Sequence, residues 1–168
     1  MKNLFLSLFI LLISASTLCA EESIIEFCIA HSDKKPHTKV VIDKDIGKLY
    51  SEIKPFMTLS DIEKVNLIVD ESKPPVWLEQ AFKSTGSTYT TPQISLEVIL
   101  KDSGKKIFAQ VTSENINKRT AVFIEGEYVI APIIIGKIDS YRVRILWGSN
   151  EKKAKEIVDK INKSLNKT

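Results

Sequence analysis

From residue 94 to residue 101, apolar Ile94, Leu96, Val98 and Leu100 alternate with polar Ser95, Glu97 and Lys101. At Asp102 the period lengthens from two to three or four, and Ile107, Phe108, Val111 and Thr112 fall on one stripe running to about Asn117. A strand apolar on one face that runs straight into an amphipathic helix leaves few options, because neither element can shield its apolar side alone. The helix has to return across that face. Asp102 or Ser103 is placed to cap it. The same change of period closes the chain: Tyr141, Val143, Ile145 and Trp147 alternate with Arg142 and Arg144. Ser149 or Asn150 then caps a helix with Ala154, Ile157, Val158, Ile161 and Leu165 inside and lysines outside. Between the two units, residues 120–124 form a nearly continuous apolar strand, and Glu125-Gly126 turns it back into residues 128–131. Pro132 donates no ladder hydrogen bond and argues against a central sheet position.

The N-terminal half is less regular. Ile24, Ile25, Phe27, Cys28 and Ile29 form an apolar patch that turns polar through His31-Ser32-Asp33-Lys34-Lys35-Pro36, so residues 21–38 read as a leading strand and a linker. Residues 39–42 and 48–53 flank Asp45-Ile46-Gly47, the signal of a hairpin. Thr58 is expected to cap a short helix, with Asp61 complementing its dipole. Val65, Leu67 and Val69 alternate as a strand, and Pro74-Pro75 opens a helix with Val76, Trp77, Ala81 and Phe82 ahead of Gly86. These elements predict an α+β domain over residues 39–168, a mostly antiparallel sheet with helices packed on one face.

Lys2 is the only charge before Glu21, and the apolar run from residue 4 to residue 13 is too short for a stable bilayer span. Residues 1–20 read as a signal peptide, with Leu18-Cys19-Ala20 as the cleavage site. Acylation of Cys19 is disfavoured because the bulky Leu18 stands where a lipoprotein signal wants a small residue. Cleavage leaves Cys28 as a lone thiol in an oxidising compartment, so stability has to come from an apolar core rather than an internal disulfide. No second apolar stretch is long enough to span a membrane. The whole chain of 168 residues carries 24 Lys plus Arg against 21 Asp plus Glu, with only three Arg, too diffuse an excess for a nucleic-acid binder.

The stretch from Ser103 to Arg119, Ser-Gly-Lys-Lys-Ile-Phe-Ala-Gln-Val-Thr-Ser-Glu-Asn-Ile-Asn-Lys-Arg, is followed by Ala121-Val122-Phe123-Ile124-Glu125-Gly126-Glu127-Tyr128-Val129-Ile130-Ala131-Pro132. This order closely resembles the head of the large periplasmic domain of SecD. In that family a capped helix ends near an Asn and runs into a strand, an acidic-Gly turn and an Ala-Pro step. Tyr50-Ser51-Glu52-Ile53-Lys54-Pro55-Phe56-Met57-Thr58-Leu59-Ser60-Asp61-Ile62 looks like the family's strand, Pro and Thr-x-x-Asp-Ile step. The resemblance covers residues 40–165. It implies a SecD head-like fold in the periplasm and a part in protein export, in which SecD and SecF use a proton gradient to help pull polypeptides from the translocation channel and the head holds the emerging chain. The family's transmembrane helices and proton-relay carboxylates have no counterpart here. Where the family has a glycine pair and a glycine-rich strand start, this chain has Ile138-Asp139-Ser140-Tyr141-Arg142-Val143-Arg144.

A module that holds polypeptide needs exposed apolar surface or a free strand edge. Candidates are Phe56, Met57, Trp77, Phe82, Tyr141 and Trp147, each set against the plainer reading that large apolar residues pack in a core. Arg142 and Arg144 project from one strand face and can meet acidic peptide groups, or simply form a solvated face. Partners on this reading are an exported polypeptide or envelope protein, including Sec translocon components, with no cofactor. Two alternatives stand beside it: a small envelope protein that binds metal through Cys28, His31 and His37, with Asp33 nearby, and an interaction or inhibitor protein that uses the same scaffold for one folded partner. The metal spacing matches no strong motif. Asp43-Lys44-Asp45-Ile46-Gly47 matches only the start of a calcium loop, lacking its third short oxygen ligand and its closing Glu. No nucleophile elbow, phosphate loop, zinc-protease motif or dinucleotide fingerprint is present, and a non-enzymatic role is expected.

Overall fold

The computed structural model describes residues 24–71, 92–148 and 150–167. Within them the chain runs β1 (Ile25–His31), β2 (Thr38–Asp43), β3 (Gly47–Glu52), β4 (Met57–Thr58), a 3-10 turn (Leu59–Asp61), β5 (Ile62–Asp70) and β6 (Gln93–Leu100). It continues with α1 (Asp102–Glu114), β7 (Arg119–Ile124), β8 (Glu127–Ile130), β9 (Arg142–Gly148) and α2 (Glu151–Leu165). The fold is α+β and antiparallel throughout its described pairings. The strands divide into two sheets rather than one, ordered β2-β3-β1-β7-β8, with β4 beside β1, and β5-β6-β9.

The main core lies between the sheets and under both helices. Phe27, Val122 and Ile124 enter it from the first sheet, Val65, Leu96, Val98 and Ile145 from the second, Phe108 from α1, and Ala154, Ile157 and Ile161 from α2. Each large side chain removed from water contributes about 1.5–3 kcal/mol, so the sheets are held together by what they share. α2 lies across β5 and β6, while α1 packs on β4, β6 and the 3-10 turn.

β1 is the leading strand that its composition predicts, yet it sits in the middle of its sheet, paired with β3 and β4 on one side and β7 on the other. Its two faces explain why no polar alternation marks it. Ile25 and Phe27 enter the main core, while Cys28 and Ala30 face a second cluster with Val41, Leu49, Ala121 and Phe123. The sheet curls so that the β2-β3 hairpin lies over β7 and β8: the Lys39 ammonium sits 3.7 Å from the centre of the Phe123 ring, and the Tyr128 hydroxyl donates to the Asp43 carboxylate.

Both reversals form at the glycines expected, with φ of +88° at Gly47 and +76° at Gly126. Asn150 caps α2 by accepting from the Lys153 N–H at 3.0 Å. Local details differ elsewhere. Lys101, not Asp102 or Ser103, occupies the capping position of α1 and makes no side-chain cap, and the helix stops at Glu114 with Asn115 at its end. The expected helix after Thr58 is one 3-10 turn, where the Asp61 carboxylate accepts from the Thr58 N–H at 3.3 Å. That turn is joined to α1: the Lys101 N–H donates to the Asp61 carbonyl at 3.0 Å, and a Cβ on Gly104 would lie 2.3 Å from the same oxygen. The helix expected around Trp77 and Phe82 and the signal peptide lie outside the described residues.

Candidate functional site

β8 and β9 are the outer strands of their sheets, and they face each other across a groove of about 330 Å³. Phe27, Phe108, Val122 and Ile145, all buried, form its floor. Its rim is exposed and apolar: Ile133 is 50% accessible, Ile138 38% and Leu146 49%. Beside it Ile135 is 89% accessible, a value rare for so large an aliphatic side chain. Arg142 and Arg144 line the β9 side.

Among the described residues β9 pairs only with β6. The Leu100 N–H donates to the Tyr141 carbonyl at 2.8 Å, so strand alternation turns Tyr141, Val143 and Ile145 toward β6 and the backbone groups of Arg142 and Arg144 away from it. The Arg142 N–H and carbonyl are taken there by the Ser140 hydroxyl at 3.0 and 3.1 Å, which leaves the open edge at Arg144. An extended chain laid in the groove therefore meets both an apolar floor and the outward backbone groups of Arg144.

The segment from Ile133 to Tyr141 that forms the far wall is pinned to α1. The Ile138 N–H donates to the buried Thr112 hydroxyl at 2.9 Å, which in turn donates to the Phe108 carbonyl at 2.7 Å. Asp139 lies 3.1 Å from Lys105 and 3.4 Å from Lys137. The hydrogen bond from Lys105, its charge and then Lys137 hold the Asp139 carboxyl below the usual carboxylate range. The Tyr141 hydroxyl donates to Asp102 at 2.8 Å, with the Lys105 ammonium 4.4 Å from its ring centre. These charged groups surround a polar hollow of about 420 Å³ on α1 and satisfy one another. The stretch that replaces the family's glycine pair is thus a braced wall rather than a pliable turn.

The structure distributes the residues expected from sequence unevenly. Arg142 and Arg144 stand exposed at the groove, and Tyr141, also exposed, lines the polar hollow on α1 instead. Phe56 is half-buried against Phe27 and Phe108, with ring centres 6.4 and 5.9 Å away, and Trp147 is half-buried against the main core. Met57 is fully buried and reaches no surface, because β4 places it against β1. Trp77 and Phe82 lie outside the described residues. Cys28, His31 and His37 do not converge: Cys28 is fully buried on one face of β1, His31 lies on the opposite face with its ring nitrogen 3.2 Å from Glu52, and His37 is exposed beyond the strand. Burial pushes the Cys28 thiol up to about 11. Among the described residues no three His, Cys, Asp or Glu side chains are placed to hold a metal. Sequence reasoning passed over Ile133, Ile135 and Leu146, and named Ile138 only as part of the stretch that departs from the family. The signal for Ile133 and Ile135 was Pro132-Ile133-Ile134-Ile135-Gly136, an apolar run without period beside a proline.

No helix among the described residues is long and apolar enough to cross a membrane. The family model of the SecDF P1 head subdomain matches residues 49–163, more than half of the chain. The protein translocase subunit SecD of Calditerrivibrio nitroreducens (strain DSM 19672 / NBRC 101217 / Yu37-1) is 27% identical over 116 residues, covering 69% of this chain and 20% of that protein. The chain spans about a fifth of the length of that curated relative. A solved structure of SecDF, a membrane component that enhances protein export, superposes with a TM-score of 0.54 at 19% identity over 81% of this chain and 60% of that one. SecDF in its super-membrane-facing form gives the same TM-score and identity over 18% of its chain. At that identity the solved structures speak for the fold, and the match from β3 to α2 speaks for descent: the chain belongs to the SecDF P1 head subdomain family.

Proposed function

We propose that this protein is an exported, non-enzymatic polypeptide-binding module of the cell envelope, and that it holds an extended apolar segment in the groove between β8 and β9. The observation that carries the reading is the groove itself, an apolar floor between two open sheet edges with a rim of exposed isoleucines and Leu146. A captured chain pairs its backbone with the open edge at Arg144 and directs alternate side chains onto Phe108 and Ile145. Backbone pairing is indifferent to sequence, which suits a partner class as varied as exported chains. The braced wall at Ile138, Asp139 and Tyr141 holds the slot open in advance, which lowers the ordering cost of capture. Kinship with the SecDF head supports exporting polypeptides and Sec components as partners, and a periplasmic location after removal of residues 1–20.

The test is fluorescence anisotropy with a labelled, unfolded apolar peptide. Leu146→Glu and Ile133→Glu each place a charge on the rim at a half-exposed position, so folding survives while affinity falls about tenfold, equivalent to about 1.4 kcal/mol. Trp77→Ala is expected to weaken binding too. Unaltered affinity in both rim variants would refute the groove. Indifference to every peptide alongside tight binding to one folded protein would replace capture with a dedicated interaction.

A further inference from the structure

We infer that the protein pairs with a second copy of itself through β2, the two β2 strands joining antiparallel with Val41 on the twofold axis. β2 is the end of its sheet, and among the described residues it pairs only with β3. It is a strand of six residues with no proline and no bulge, and the edge-blunting device it does carry is charge, at Lys39 and Asp43. Its outward side chains are apolar: Val40 is 54% and Ile42 67% accessible, and Tyr50 stands opposite Val40 on the same face. An edge with both free backbone groups and an apolar face is a template for another strand.

What selects a second copy is the order of residues along the edge. The Ile53 N–H donates to the His37 carbonyl at 3.1 Å, so the odd-numbered residues of this stretch turn their backbone groups toward β3 and Thr38, Val40 and Ile42 turn theirs outward. An antiparallel self-pairing must therefore set even against even. With Val41 opposite Val41 of the copy, Val40 meets Ile42, which fulfils that rule and covers both exposed side chains at once. The same register sets Lys39 opposite Asp43 of the copy, twice over by symmetry, so each cation lies beside an anion. Both of these side chains are already held on that face of the sheet, Lys39 by the Phe123 ring and Asp43 by the Tyr128 hydroxyl. Sliding the pairing by two residues one way sets Lys39 opposite Val41 of the copy; sliding it the other way sets Lys39 opposite Asp45 but leaves Asp43 opposite Val41 and Val40 opposite Lys44, so the apolar match is lost. The strand is thus self-complementary in hydrogen bonding, shape and charge in one register. The groove between β8 and β9 is not involved, and dimerisation stands or falls apart from peptide capture.

Sedimentation equilibrium of the protein produced from its full sequence tests the inference, with a weight-average mass expected to rise toward twice the monomer value with concentration. Val40→Lys and Ile42→Lys should each hold the protein monomeric where the wild type is dimeric, with unchanged circular dichroism. Val40→Pro is the second variant: it removes an N–H that faces outward, which an edge strand tolerates and a ladder does not. Oxidation of a Val40→Cys/Ile42→Cys double variant should yield covalent dimer, and either single variant should yield much less. A wild type monomeric at every concentration, or a dimer undiminished in all three edge variants, would overturn the inference. Single-cysteine variants that cross-link as readily as the double would overturn the register.

Discussion

The carboxamide of Asn162 completes the edge of the second sheet, and removing it measures how much one side chain contributes there. Its Oδ1 accepts from the Val65 N–H at 3.0 Å and its Nδ2 donates to the Val65 carbonyl at 2.7 Å, so α2 supplies β5 with the pair of bonds a neighbouring strand would make. Val65 is fully buried. Asn162→Leu keeps the branched shape, with two methyls in place of the amide oxygen and nitrogen, and improves helix propensity, so a loss of stability reports chiefly the two bonds. Each is worth about 1 kcal/mol net, and each buried group left without a partner costs about 1–3 kcal/mol. Asn162 itself is half-exposed and lets some water in, which sets the expected loss at about 2–4 kcal/mol. With a urea slope of about 2 kcal/mol/M, the midpoint should fall by about 1–2 M at constant slope.

Asn162→Asp separates the donor from the acceptor. A protonated carboxyl can make both bonds, whereas an ionised one presents an oxygen to the Val65 carbonyl and repels it. The introduced group therefore has a folded pKa above its unfolded value of about 3.9. The stability it retains is fully present below that value and is lost as pH rises through the folded pKa. Urea midpoints relative to wild type should match near about pH 3.5 and fall short at pH 7. A shift under about 0.3 M for Asn162→Leu, or a deficit in Asn162→Asp that ignores pH, would refute the account.

Three further outcomes follow from the packing. Gly104→Ala should destabilise the fold by about 1–3 kcal/mol despite its better helix propensity, because the new methyl meets a backbone oxygen at 2.3 Å that is already bonded to Lys101; a neutral or raised melting temperature would contradict this. Cys28 should resist alkylation at pH 8 in the native protein and react quickly once urea unfolds it, since burial holds the thiol protonated up to about 11. Tyr128→Phe should cost about 1 kcal/mol at pH 7 and flatten the acid limb of the stability profile. Burial opposes ionisation of Asp43, but bonds from Tyr128 and the N–H groups of Asp45 and Ile46 outweigh it and hold the carboxyl low. That stability is present above the unfolded value and lost as pH falls through the folded one, which a urea titration series at several pH values would read.

Periodicity alone determined the units on either side of the core: the strand at Ile94–Leu100 with its helix, the final strand and helix, and the two glycine reversals. In each, one chain segment carries both the pattern and its consequence. The order of Lys, Asn, acidic-Gly and Ala-Pro steps was enough to point to the family. Tertiary structure decided the rest, because it depends on which segments meet. β1 reads as a bare apolar patch, and only its two neighbours make it central and bury both its faces. Phe56 and Met57 look alike in sequence, yet pairing with β1 buries Met57 completely and leaves Phe56 part-exposed. The groove has no local signature at all, since its floor joins β1, α1, β7 and β9, drawn from residues about a hundred positions apart in the chain. Exposure of Ile135 likewise follows from no pattern in its neighbours. It results from Ile134 being turned inward, its N–H and carbonyl bonded to Lys118 and Asn117 at 2.8 Å, which turns the residues on either side of it outward.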